Sequence, residues 1–156
     1  MSPDGLALIG PLAHRTLTES AWNVDSIGGL TLGADPISYA IAYASAATSI
    51  PLRAFSVRKE AKVHGTGKLI EGPFREGDRV AVIEDVITTG SSALRAVDAV
   101  RAGGGDVIGV LALVDREEGG REAITATGLP VISLVTATQI LSVLLSDSDP
   151  SIQLDS

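Results

Sequence analysis

Residues Val107 to Val114 read Val-Ile-Gly-Val-Leu-Ala-Leu-Val, a continuous apolar run without one charged or polar side chain. A run this short and this uniform is a strand buried on both faces, and such strands belong to parallel sheets covered by helices. Val80 to Ile83 is a second buried run, and Val24 to Ile27, Leu52 to Val57 and Val131 to Val135 are further strand-length segments. Helical segments alternate with them: Gly5 to Ser20, Ile37 to Ala47, Ala93 to about Ala102, Arg121 to Thr127 and Ala137 to Leu145. Alternation of this kind predicts an α/β fold with a parallel twisted sheet and right-handed crossovers. Apolar residues make up 45 % of the chain but aromatics only 3 %, so Ala, Val, Ile and Leu must fill the core. With 156 residues, a single domain spanning 1–156 is expected, with 146–156 as a loose tail.

Local signals sharpen the boundaries. Pro11 should kink the first helix or mark its true start. Asp35 followed by Pro36 suits an N-cap and first helical position. Gly103-Gly104-Gly105 should end the helix after residue 93. Trp22 reads as packing, and His14 as a surface or groove residue.

The net charge of −7 and a pI near 4.7 argue against a general nucleic-acid surface. The absence of cysteine excludes disulfides and Cys-ligated zinc. No signal peptide is evident, and no apolar run reaches the roughly 18 residues that a membrane span requires, so a cytoplasmic enzyme with neither nucleic-acid nor membrane partners is expected.

The chemistry concentrates in Val80 to Ser92. Glu84 and Asp85 follow the apolar run, at the carboxyl end of a strand, where open α/β sheets bind ligands. Then comes Thr88-Thr89-Gly90-Ser91-Ser92, entering a helix. A helix N-terminus offers free N–H groups and a partial positive charge, which suits a phosphate. The acidic pair would repel that phosphate and instead suits a sugar diol or a hydrated Mg²⁺. A phosphate cradle beside an acidic clamp fits a ribose 5-phosphate. As plain structure, the same residues are a strand, a turn and a helix capped by Ser91 or Ser92.

Two further segments are consistent with this. Gly28 to Pro36 is a Gly-rich strand-to-helix turn that serves equally as an anion-binding nest or as a plain tight turn. Residues 58–72 carry Arg58, Lys59, Lys62, His64 and Lys68 with three glycines. They read as a lid able to gather around pyrophosphate, or as a solvated charged hairpin loop. The Gly-Thr-Gly-Lys within them is not a P-loop, because Lys62 stands where the first Gly belongs and Leu69 where Ser or Thr belongs. Arg116, after the Val107–Val114 strand, sits at the same sheet edge as the acidic pair. Its planar fork suits a carboxylate, or an ion pair with Asp115 or Glu117.

Three motifs in order, VRKEAKVHGTGKLIEGP from Val57, VIEDVITTGSSALRAV from Val82 and GVLALVDREEGG from Gly109, follow GGLTLGADPI from Gly28. Together they resemble orotate phosphoribosyltransferase, a type I phosphoribosyltransferase, from about Leu6 onward. The resemblance implies that fold, with a mobile lid, and transfer of phosphoribosyl from phosphoribosyl pyrophosphate (PRPP) to orotate. It implies that Glu84, Asp85, Val86, Ile87, Thr88, Thr89, Gly90, Ser91 and Ser92 bind PRPP. By the same resemblance Arg58, Lys59, Lys62 and His64 meet its pyrophosphate, and Thr88 and Arg116 meet orotate. Lys62, Asp85 and Glu84 are the implied catalytic residues. Mg²⁺ is implied as cofactor, held mainly through substrate and water, and a homodimer in which the lid reaches the neighbouring subunit's site. Family members usually begin a few tens of residues earlier, with small strands forming a hood over the base, so the expectation is a shortened hood, a hood supplied by another chain, or a truncated product. Many also place a lysine in the turn at 29–36, where this chain has Gly33 and Ala34. A phosphoribosyltransferase for another base, and a non-catalytic or partner-dependent PRPP-binding protein, are the alternatives.

Overall fold

The computed structural model describes residues 1–60 and 69–146. Their order is α1 (Pro3–Glu19), β1 (Ser26–Leu30), α2 (Ala34–Ser45), β2 (Arg53–Val57), β3 (Ile70–Glu71), β4 (Arg79–Ile87), α3 (Ser91–Ala102), β5 (Asp106–Asp115), α4 (Gly120–Thr125), β6 (Val131–Thr136) and α5 (Ala137–Ser146). One six-stranded sheet has the order β3-β2-β1-β4-β5-β6. All pairs are parallel except β2 with β3. The expected fold is thus observed, with β4 at the centre between β1 and β5.

The two faces of the sheet separate by strand alternation. Val80 and Val82 of β4 join one core with Phe55, Val97, Val100 and Val110, whereas Ala81 and Ile83 join a second core with Ile27, Ile37, Ile41 and Leu111. Burying an aliphatic side chain such as Ile83 contributes roughly 1.5–3 kcal/mol. Trp22 packs as expected, partly buried against the second core, with its ring where a Cβ on Gly109 would stand.

Several boundaries differ from the sequence expectation, each for a local reason. The first helix starts at Pro3, where the Ser2 hydroxyl accepts the Gly5 N–H at 3.2 Å, so Pro11 lies inside it and does not mark its start. Gly28 and Gly29 are strand residues and form no anion nest. A side chain on Gly28 would collide with Phe55, and one on Gly29 with the Ile83 carbonyl. Gly33, not Asp35, caps α2, and Asp35 lies in the first turn, where a carboxylate suits the helix dipole. The central strand continues past Ile83, because Val86 and Ile87 pair with Val114 and Asp115. Gly90, left-handed at φ 80°, caps α3 in place of Ser91 or Ser92. Gly103 ends that helix, as its sequence predicts. Among the described residues no helix is long and apolar enough to cross a membrane.

Candidate active site

Three connections leave the carboxyl ends of adjacent parallel strands: residues 31–33 after β1, 88–90 after β4 and 116–119 after β5. The sheet order alone brings them side by side, which is where an open α/β sheet presents its ligand crevice.

Glu84 and Asp85 are consecutive strand residues and therefore differ in setting. Glu84 is only 6 % exposed, whereas Asp85 is partly open to solvent. Burial, reinforced by a hydrogen bond to Asp85 and by that neighbour's charge, pushes the Glu84 carboxyl up to about 8. Glu84 therefore holds a proton at neutral pH, and the pair does not act as two equal carboxylates. Asp85 Oδ1 accepts the Val86 N–H at 2.9 Å. Its carboxylate also rests against Gly33, where a Cβ would stand 2.7 Å from Oδ2 and 2.9 Å from Oδ1. The absence of a side chain at 33 is what gives Asp85 room. From the sequence Gly33 stands out only as part of the Gly-rich turn and as a place where many relatives carry a lysine.

Beyond the pair, Val86 is exposed, while the Ile87 side chain is 1 % exposed and belongs to the core. Ile87 can thus meet a ligand only through its backbone, and its carbonyl already accepts the Arg116 N–H at 3.0 Å. Thr88, Thr89 and Gly90 form the turn, and Ser91 and Ser92 open α3 with exposed side chains. The Thr89 hydroxyl donates to Ser91 Oγ at 3.2 Å. The twelve-residue α3 has no acidic residue in its first turn, so nothing there competes with an incoming anion.

A cavity of about 740 Å³ opens at the carboxyl end of β2, lined by Thr31, Leu32, Tyr39, Ser56, Arg58 and Lys59 among others. It joins the turn after β1 to the cationic stretch but does not include residues 84–92 or Arg116. Arg58 pairs with Glu71 at 2.8 Å across the strand pair, and the Lys59 carbonyl accepts Arg95 Nη2 at 2.8 Å. Arg95, on α3, was not singled out from sequence; its helical spacing alone carries no such signal. Lys62, His64 and Lys68 lie outside the described residues.

Arg116 pairs with Glu118 at 2.6 Å, not with Asp115 or Glu117, and is half exposed. Asp115 is occupied elsewhere. It is 2 % exposed, accepts the Glu117 N–H at 2.9 Å and takes Arg121 Nε at 2.6 Å. Arg121 continues to the Val131 carbonyl at 2.8 Å and Ser133 Oγ at 2.7 Å. The two arginines divide the work that sequence left to Arg116 alone: Arg121 ties β5 to β6, and Arg116 keeps a solvent-facing fork. His14 is partly buried on α1, and its carbonyl accepts the Thr18 hydroxyl.

A central parallel strand carrying an acidic pair near its carboxyl end, followed by a glycine-capped helix start and flanked by a cationic stretch, is the arrangement of a type I phosphoribosyltransferase. A crystal structure of a phosphoribosyltransferase from Corynebacterium diphtheriae superposes with TM-score 0.79 at 38 % identity, covering 89 % of this chain and 79 % of that one. The orotate phosphoribosyltransferase of Aquifex aeolicus is 55 % identical over 139 residues, 89 % of this chain and 75 % of the relative. That of Mycobacterium tuberculosis, in a crystal structure with PRPP, has TM-score 0.75 and 45 % identity over 86 % of this chain and 75 % of the other. No family model matches the chain. On these relatives, the chain belongs to the orotate phosphoribosyltransferase family.

Proposed function

We propose that the chain transfers the 5-phosphoribosyl group of PRPP to N1 of orotate, giving orotidine 5′-monophosphate and pyrophosphate in pyrimidine biosynthesis. The observation that supports this is the end of β4, where a partly exposed Asp85, suited to a diol, stands just before the hydroxyl-rich, glycine-capped turn Thr88–Ser92, suited to a phosphate. The 5-phosphate docks on the N–H groups of Gly90, Ser91 and Ser92, helped by their hydroxyls and by Thr89. Asp85 holds the ribose diol, and protonated Glu84 keeps Asp85 oriented. Arg58 and Lys59, together with Lys62 and His64, take the pyrophosphate. Arg116 takes the orotate carboxylate in a fork-to-carboxylate contact, leaving Glu118, and Thr88 contacts the base.

The chemistry needs no nucleophilic side chain. As the C1–oxygen bond to pyrophosphate breaks, the ribose ring becomes positive and the leaving group gains negative charge. Cations placed around the pyrophosphate stabilise that charge where it develops. Keeping water out protects the donor from hydrolysis.

Among the described residues no three His, Cys, Asp or Glu side chains gather to hold a metal ion. A partly exposed Asp85 beside a protonated Glu84 instead suits a hydrated Mg²⁺ arriving on the substrate, since Mg²⁺ keeps several waters and binds through one or two carboxylates plus phosphates. Bound there, it supplies neutralisation of the pyrophosphate charge. Soluble phosphorylated substrates place the reaction in the cytoplasm. The chain works as a single domain and, like the family it belongs to, as a homodimer whose 58–72 segment serves the neighbouring site.

The test is the absorbance change of orotate on mixing with PRPP and Mg²⁺, with Asp85→Asn as control. Turnover that is lost in the control supports the reading. PRPP binding without turnover of orotate, in the presence of other bases that do react, would overturn the choice of acceptor.

A further inference from the structure

The turn at 88–90 and the turn at 119–120 belong to different strand-to-helix connections, yet their backbones touch. A Cβ on Gly120 would run into the Thr88 carbonyl oxygen and would lie 2.6 Å from Ile87 Cγ2 and 2.7 Å from the Gly90 nitrogen. The contact is reciprocal, since a Cβ on Gly90 would lie 2.8 Å from the Gly120 carbonyl oxygen. The obstructing atoms are mostly backbone, so a side chain at 120 cannot be accommodated by a rotamer change; the 88–90 turn itself must move. Nor can the 116–120 turn retreat. Asp115 holds the Glu117 N–H and Arg121, Arg121 is fastened to β6, and the Arg116 N–H is bonded to the Ile87 carbonyl.

We propose that Gly120 is a positioning residue for the phosphate turn. Its missing side chain sets how closely the 119–120 backbone packs beneath Thr88 and Gly90, and so fixes the aim of the N–H groups of Gly90, Ser91 and Ser92. The same contact locks that turn to the one carrying Arg116, so the donor and acceptor sides share one rigid floor. Residue 120 itself touches neither substrate. The proposal rests on the reading of residues 88–92 as the ribose 5-phosphate cradle.

It predicts a loss confined to one half of the donor. In calorimetric titrations of the intact chain, Gly120→Ala should weaken ribose 5-phosphate roughly ten- to hundredfold, the cost of misplacing a binding group by about an ångström. Mg²⁺-pyrophosphate affinity should not change. Gly119→Ala is the control: at φ 88° it strains the same loop, but nothing lies within 4 Å of its Cβ. That variant should keep its ribose 5-phosphate affinity even if it melts earlier. Thr89→Val, in the cradle itself, tests the underlying reading. If Thr89→Val loses ribose 5-phosphate and Gly120→Ala does not, the positioning role is wrong. If neither loses it, the cradle reading falls as well. Equal weakening of both ligands by Gly120→Ala would mark a general loosening and overturn the proposal. Should Gly120→Ala not fold, hydrogen exchange on the wild-type chain decides: ribose 5-phosphate should slow the amides of residues 117–120 and pyrophosphate should not, and unchanged exchange would overturn it.

Discussion

At the scale of single residues, Glu84 and Gly33 make the sharpest predictions, because each acts on Asp85 by a different physical route. Glu84 is held near 8 in the folded chain against an ordinary 4.5. Between those values the folded chain keeps a proton that the unfolded chain releases, so stability falls as pH rises, with a limiting slope of about 1.4 kcal/mol per pH unit. Glu84→Gln removes that slope. Its Tm should therefore gain on the wild type progressively from about pH 5 to about pH 8, and a constant offset would mean that Glu84 carries no such proton. Gly33 acts by shape. A methyl group there would stand 2.7 Å from Asp85 Oδ2, so the carboxylate must turn away. Gly33→Ala should lower kcat roughly tenfold or more, as an ångström-scale misplacement does, with little change in Tm. Asp85→Asn, which removes the charge outright, should cost about 10² to 10³ in rate. Turnover of Gly33→Ala equal to the wild type would show that Asp85 has slack.

At the scale of elements, the strands were legible in the sequence and their ends were not. Val80–Ile83 and Val107–Val114 are apolar because both faces of the sheet are covered, and their strand length and β-branched content set them apart from a buried helix. The ends depend on partners far along the chain. Glu84 to Ile87 look like a turn in isolation but pair with residues 112–115 of β5. Gly28 and Gly29 look like a loop until Phe55 and the Ile83 carbonyl are seen to need their space. The acidic pair and the hydroxyl turn were readable because they are contiguous. The Asp115–Arg121–Ser133 network was not, since its members come from three elements. Its weight can be measured. Arg121→Met strands a 2 % exposed Asp115 and should cost about 3 kcal/mol, several degrees in Tm. The double variant with Asp115→Asn should recover part of that loss, whereas strictly additive losses would show that the two side chains are not coupled.

At the scale of the whole molecule, the described surface places the cationic residues and the acidic strand end on different connections. The 740 Å³ cavity collects Arg58 and Lys59 at the end of β2, while Asp85 stands at the end of β4, with β1 between them. Donor chemistry needs both around one PRPP molecule, the carboxylate at its ribose diol and the cations at its pyrophosphate. Under the homodimer reading the lysine at 62 serves a site in the partner, so the two functions are genetically separable. Lys62→Ala should lower kcat far more than it raises KM for PRPP, because a charge that matters only as the leaving group departs stabilises the transition state alone. Each of Lys62→Ala and Asp85→Asn should then be nearly inactive by itself. Mixed after subunit exchange, half of the dimers pair one of each, and every such pair has one site with both defects and one with neither. Activity should return to about a quarter of the wild type, the share of intact sites that random pairing produces. A lid that serves its own subunit predicts no recovery at any mixing ratio.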